Sequence, residues 1–332
     1  MTIQSIMNQP ESIYTSARLA PSFVADLVAE HYALPEPVSG RFYAQGLHDN
    51  YLIQSGAQKF ILRVYTSAWR SEEEICFELD LLTFLHQQAA PVAFPLRTKT
   101  DAWYFLIDSP AGQKVAALFN YADGAAPRFE LSVAESALLG STIANIHRLS
   151  DTFKPLHRRT LLDIPYLVDE SLIAITPYLE VEARAYLGGL REKLAAAIAP
   201  ISKESPLFGI CIGDVNTTNF HINASQQITV FDFDQCGYGY RAFEIGKYIS
   251  SIHVLPLKQA LAAAFIEGYQ QVRQLTPAER KAIPYFEMVG VIWVMAINAY
   301  NVGHLGFSHL DKPFWDRRLM ILKSLESALP QL

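Results

Sequence analysis

The chain has 332 residues, half of them apolar and 18% charged, with a formal net charge of −6. A chain of that length and composition folds as one large domain or two lobes, each with a real core, and is not disordered. Its acidic balance, with no long Lys/Arg cluster, argues against a nucleic-acid-binding surface.

Residues 1 to about 20 read as a lead-in without the basic start and apolar stretch of a signal peptide. Ser22 is placed to cap a first helix through about residue 33, stopped by Pro35 and Pro37. R-F-Y-A, Y-L-I-Q and K-F-I-L-R-V-Y then predict two or three antiparallel strands, joined by the link 45–50 and the turn S-G-A-Q. Ser71 and Glu74 form a capping box for the next helix, where Glu78 shares a stripe with Ile75, Leu82 and Leu85. Strands are predicted at 93–96 and 102–107, and the apolar segment 115–121, ending in A-D-G, suits a hinge.

From about Leu131 the pattern turns helical. Ser132 and Glu135 make a second capping box, and further helices are predicted at 182–199, 258–273, 285–302 and 313–328, with Pro284 interrupting the one that starts near Thr276. The longest apolar run, 288–297, falls short of the roughly 20 residues a membrane span needs and reads as a buried helix. The division expected is 1–120 for a sheet-rich N-lobe and 121–332 for a helical C-lobe, an α+β architecture. A cytoplasmic protein without a membrane or nucleic-acid partner is expected. Cys76, Cys211 and Cys236 show no paired spacing, so neither a disulfide framework nor a zinc site is indicated.

The chemistry concentrates in C-I-G-D-V-N-T-T-N-F-H-I and I-T-V-F-D-F-D-Q-C-G-Y-G, which put Asp214 five residues before Asn219 and eighteen before Asp232. Phosphoryl transfer from Mg-ATP uses such a set: one carboxylate orients the attacking hydroxyl, while an amide and a second carboxylate hold Mg²⁺ on the phosphates. Asp214 and Asn219 each read equally as turn caps. Asp232 tips the balance, because two carboxylates at the end of an aromatic strand call for a cation. Asp234 reads in two ways, as reaching a second metal or, the favoured reading, as bonding to backbone amides of the C-G-Y-G turn. Glu78 on a buried helix face needs a cation as well, and Arg63 on the preceding strand supplies one. Gly46 is the one glycine in the link 45–50, which serves either as a phosphate-side loop or as a plain strand connection.

Together these segments resemble the aminoglycoside phosphotransferase/choline kinase-like family over about residues 40 to 325. I-G-D-V-N-T-T-N is similar to the family's H-G-D-x-x-x-x-N loop and V-F-D-F-D to its metal-binding segment. The resemblance implies a protein-kinase-like two-lobed fold and ATP and Mg²⁺ as cofactors. It further implies Asp214 as catalytic base, Asn219 and Asp232 as metal ligands, and Arg63 with Glu78 as the ion pair on the phosphate side. L-R-V-Y and F-D-F-D-x-C-G look closest to the branch with homoserine kinases, spectinomycin-type kinases and the bacterial stress-response kinase. Two positions depart from the pattern: Ile212 stands where the family has His, and Glu244 where it has Asp. For the acceptor, expected to be a small amine-bearing molecule, the helical half offers Asp163, Asp169 and Glu170, with Asn298, Asn301 and His304 on one helix face. A protein Ser/Thr kinase and a nucleotide-binding pseudokinase are the other readings.

Overall fold

The computed structural model describes residues 18–66, 69–109, 112–302 and 310–329; His304 lies outside them. Five antiparallel strands form one sheet in the order β1-β2-β3-β5-β4, with β1 Val38–Gln45, β2 Asp49–Ser55, β3 Gln58–Val64, β4 Phe105–Ser109 and β5 Gly112–Asn120. Ser55 pairs with Gln58, so Gly56 and Ala57 make a two-residue hairpin turn. Alternation along β3 sorts its side chains onto two faces. Phe60, Leu62 and Val64 pack with Val24 and Val28 of helix α1 (Pro21–His31), while Arg63 and the following Tyr65 meet Glu78 of α2 (Glu72–Gln87) on the other face.

The helical part contains α3 (Val133–Ser150), a π-helical turn Pro165–Glu170 running into α4 (Ser171–Ile175), α5 (Val181–Ile198), α6 (Arg241–Ser251), α7 (Lys258–Gln270), α8 (Pro277–Tyr300) and α9 (Lys312–Ser327). Two small ribbons sit between α5 and α6: β6 Phe208–Cys211 pairs with β9 Gly237–Tyr240, and β7 Phe220–Ile222 with β8 Ile228–Val230. A Cβ on Gly246 would lie 2.5 Å from the Phe286 backbone, so only glycine lets α6 come this close to α8. That crossing sets the depth of Glu244 and Lys247 beneath the ribbons. By length and composition α8 could cross a membrane, yet 78% of its most apolar window is buried inside the protein. It is the core helix of this fold.

The antiparallel sheet followed by a mostly helical remainder agrees with the predicted fold class, and both capping boxes form. Four local expectations are corrected. Ala20, not Ser22, is the N-cap of α1, and it offers no side-chain cap. Residues 93–96 form no strand; the segment makes isolated bridges at Val92 and Pro95, since Pro91 and Pro95 have no N–H to donate to a ladder. The strand expected at 102–107 runs instead over Phe105–Ser109, while the apolar stretch 115–121 falls mostly in β5, with A-D-G following the strand's end. Pro284 lies inside a continuous α8; burial of most of the helix beyond it, from Phe286 onward, outweighs one missing backbone bond.

Candidate active site

The loop after β6 turns at Gly213 (φ +84°), where a Cβ would come 2.2 Å from the Gln235 carbonyl oxygen. The two ribbon loops therefore touch backbone to backbone. From below, Glu244 accepts hydrogen bonds from the amides of Ile212 and Gly213, the latter at 2.8 Å. Burial pushes the Glu244 carboxyl up to about 7, against the two amides and Lys247, which favour its charged form. Ile212, in the position where the resemblance leads one to expect His, is 1% exposed and packs into the core.

Asp214 follows. Its Oδ1 accepts from Lys247 Nζ at 2.6 Å, and Asn219 Nδ2 donates to both its Oδ2 and its carbonyl at 3.0 Å. The turn V-N-T-T-N is capped by Asn216, whose Oδ1 accepts from the Thr218 amide at 2.8 Å. The Asp214 carboxylate thus takes side-chain donors, Lys247 and Asn219, and leaves the capping of the turn backbone to Asn216.

Across the cleft Arg63 bridges two acids. Nη1 donates to Glu78 Oε1 at 3.0 Å and Nη2 to Asp232 Oδ1 at 2.9 Å, and Tyr65 Oη donates to Glu78 Oε2 at 3.2 Å. Burial raises the Glu78 pKa although Arg63 opposes it. Partial burial also raises Asp232; Arg63 opposes the rise, and Asp234 and Asp214 add to it. Arg63 Nε is buried with no hydrogen-bond partner among the described residues.

Asp234 has a different set of partners from the turn amides expected. Thr66 N donates to His48 Nδ1 at 3.1 Å, which leaves Nε2–H to donate to Asp234 Oδ1 at 2.9 Å. Trp69 Nε1 donates to Oδ2 at 2.6 Å, and Arg70 Nε lies 3.4 Å from Oδ1. Burial alone would raise this carboxyl, but Arg70, His48 and Arg159 hold it well below the usual range. Asp234 ties the β2–α2 region to the helical part.

Two cavities adjoin. One, of about 350 Å³, lies between the sheet and the β7–β8 ribbon, with Ile61, Phe119, Tyr121 and Phe231 as its apolar walls. The other, of about 660 Å³, opens over Asp214 between α6 and α9. Gly46, Asn50, Arg63 and Asp232 line both and form the neck between them.

The structure brings Asp214, Asn219, Asp232, Arg63, Glu78 and Gly46 to these cavities. The helical residues expected at the acceptor are not there. Asp169 is held by Arg191 through two bonds of 2.7 and 2.9 Å, and Asp163 by Lys203 at 3.2 Å. Tyr300 Oη donates to the Glu170 carbonyl at 3.0 Å, and neither Asp169 nor Glu170 lines either cavity. Asn298 and Asn301 donate back to the carbonyls of Val294 and Ile297 on their own helix. Their shared face is satisfied locally, which a spacing argument does not see. The sequence reading missed Lys247. The signal was there: a lysine in A-F-E-I-G-K-Y-I, three residues after a buried glutamate, requires a buried partner.

The sheet, the helical part and the cleft between them have the architecture of the protein-kinase fold, in the form used by phosphotransferases with hydroxyl acceptors. The chain belongs to the phosphotransferase enzyme family, whose model matches residues 39–283. An uncharacterised protein of Synechocystis sp. is 36% identical over 97% of this chain and 89% of its own length. A homoserine kinase of Phenylobacterium zucineum is 25% identical over 82% of each chain. Among solved structures, amicoumacin kinase with AMP-PNP and Ca²⁺ has a TM-score of 0.76 at 20% identity, over 93% of this chain and 94% of the other.

Proposed function

We propose that this protein transfers the γ-phosphoryl group of ATP to a hydroxyl of a small molecule, with Mg²⁺ as the working ion. The observation that carries this reading is the neck. A nucleotide in the smaller cavity with its phosphates at the shared Arg63 and Asp232 would point its γ-phosphate toward the larger cavity, which Asp214 lines. The Arg63 guanidinium, which lines both cavities, puts a positive charge on the phosphate side of the neck.

The residues fit a hard divalent cation. Asp232 Oδ1 is taken by Arg63, which leaves Oδ2 as a ligand. Asn219 gives its Nδ2 to Asp214, which leaves Oδ1 for a metal with only a long 3.4 Å contact from Thr218. Carboxylate and amide oxygens of this kind suit Mg²⁺ shared with phosphates, and the ion would offset charge on the transferred group. Asp214, oriented by Lys247 and Asn219, accepts the hydroxyl hydrogen and aims the oxygen. Relatives named homoserine kinase support a hydroxy compound of amino-acid size as the acceptor. The test is ADP release from Mg-ATP across small hydroxy compounds. Asp214→Ala is expected to lose turnover while keeping AMP-PNP binding. An active Asp214→Ala, or an intact protein that binds no nucleotide, overturns the reading.

A further inference from the structure

The acceptor side of the larger cavity carries two arginines that pair with no carboxylate among the described residues. Beyond the neck its charged and titratable lining is His48, Asp214, Asp234, Lys247, His253, Arg317 and Arg318, with Asp234 held by His48, Trp69 and Arg70. Lys247 is committed to Asp214. His253 Nδ1 donates to the Ser250 carbonyl at 2.8 Å. Arg317 and Arg318, adjacent on α9, form no ion pair among the described residues, and the nearby acid Asp316 is held by Lys312 at 2.8 Å.

Arg318 is fixed in place. Its guanidinium lies 3.5 Å from the centroid of the Phe314 ring, and Nη1 donates to the Phe314 carbonyl at 3.2 Å. That bond uses one of five donors and leaves the rest of the fork available. Burial and then the like charge of Arg317 lower the Arg318 pKa to about 10. A half-buried cation beside another cation is unfavourable until an anion joins them.

We propose that the acceptor is an anionic hydroxy compound, its carboxylate or phosphate held by Arg317 and Arg318 while its hydroxyl faces Asp214. This rests on the phosphotransfer reading above. It also reverses the electrostatic expectation from the helical acids: an acceptor with only an amine at that end would meet two arginines.

Four compounds that differ in the distal group test it: 3-hydroxypropanoate, glycerol 3-phosphate, propane-1,3-diol and 3-aminopropan-1-ol. With Mg-ATP, at least one of the two anions is expected to exceed the diol and the amino alcohol in kcat/KM by about tenfold or more, the scale of one charge-assisted hydrogen bond. Which anion leads tells carboxylate from phosphate. Arg317→Ala/Arg318→Ala is expected to erase the preference through KM with AMP-PNP affinity unchanged. Arg317→Ala alone, at an exposed position that leaves the Phe314 stack intact, gives a smaller loss in the same direction. A preference for the amino alcohol, or an anion preference that survives both substitutions, overturns the proposal. If none of the four turns over, calorimetric titration of the same compounds reads the arginines directly. Anion binding lost in the double variant upholds the assignment, and no anion binding by the parent overturns it. Failure to bind nucleotide strikes the phosphotransfer reading instead, and the anion titration is then read on the nucleotide-free protein.

Discussion

Lys247 Nζ lies 2.6 Å from Asp214 Oδ1, a buried ammonium on α6 set against the carboxylate at the floor of the cleft. With Asn219 on the other oxygen, the carboxylate has a donor on each side and one orientation. In the proposed reaction this fixed positive charge would lie beside the transferring phosphoryl group, the setting in which preorganised electrostatics are worth most. Lys247→Met keeps the volume and removes the charge. It is expected to lower kcat by about a hundredfold with little change in the KM for ATP, and Lys247→Arg to recover part of the loss. Steady-state ADP release decides it, and an unchanged kcat in the methionine variant would sink the role.

Glu244 supplies a pH dependence. Its carboxyl is pushed up to about 7 in the fold, against about 4.3 in an unfolded chain. The folded protein therefore binds more protons at this residue between those two values. Its contribution to stability is fully present below the unfolded pKa and falls as pH rises through the folded one. Glu244→Gln does not titrate, and its loss of a second amide acceptor is a constant offset. The stability of the parent minus that of the variant is expected to fall by on the order of 3 kcal/mol from pH 5 to 8. His147, buried and held well below its usual pKa, has the opposite slope, and its Nε2 lies 3.5 Å from Glu244 Oε2, so the same pH series is run in a His147→Gln background. Urea unfolding at several pH values measures this; a flat difference refutes it.

What the sequence made legible was local. Asp214, Asn219 and Asp232 lie within one strand-turn-strand stretch, so their spacing already implied convergence. Glu78 on an apolar stripe announced a buried partner one strand away. The acceptor side depended on long-range packing instead. Asp169 was given a ligand role on local charge, yet Arg191, 22 residues further on, occupies both its oxygens. Arg317 and Arg318 are merely neighbours in the sequence, and only the packing of α9 against the cavity gives them a place in its lining. Propensity misread Pro284 for the same reason: a proline rule does not know that the helix around it is the core.

Arg63 and Glu78 offer a stability measurement. Glu78 is 1% exposed, and Arg63 is its one cationic partner within ion-pair distance among the described residues. Arg63→Met leaves a buried carboxylate without its cation, expected to lower unfolding free energy by about 3–5 kcal/mol. Adding Glu78→Gln removes the orphaned charge and should restore a good part of the loss. Denaturant unfolding of the two single variants and the double forms the cycle. Strictly additive losses would show that the two side chains are not coupled.

Gly213 and Gly188 form a matched pair of opposite sign. At Gly213 a Cβ would meet a backbone carbonyl oxygen at 2.2 Å, and φ is +84°. Neither obstacle can be relieved by a rotamer change, because the neighbour is main chain and the dihedral is one that L-residues rarely adopt. Gly213→Ala must push the two ribbon loops apart, taking Asp214 away from Asn219 and Lys247. Both stability and kcat are expected to drop, with stability losing about 3 kcal/mol or more. Gly188 sits mid-helix in α5, exposed, with open space where its Cβ would be. There alanine restores helix propensity at no steric cost, so Gly188→Ala is expected to gain about 0.8–1 kcal/mol and leave kcat unchanged. Thermal and urea unfolding of both variants, with ADP release beside them, separates strain at the cleft from propensity far from it. A Gly213→Ala protein as stable and active as its parent would mean that the two loops do not touch.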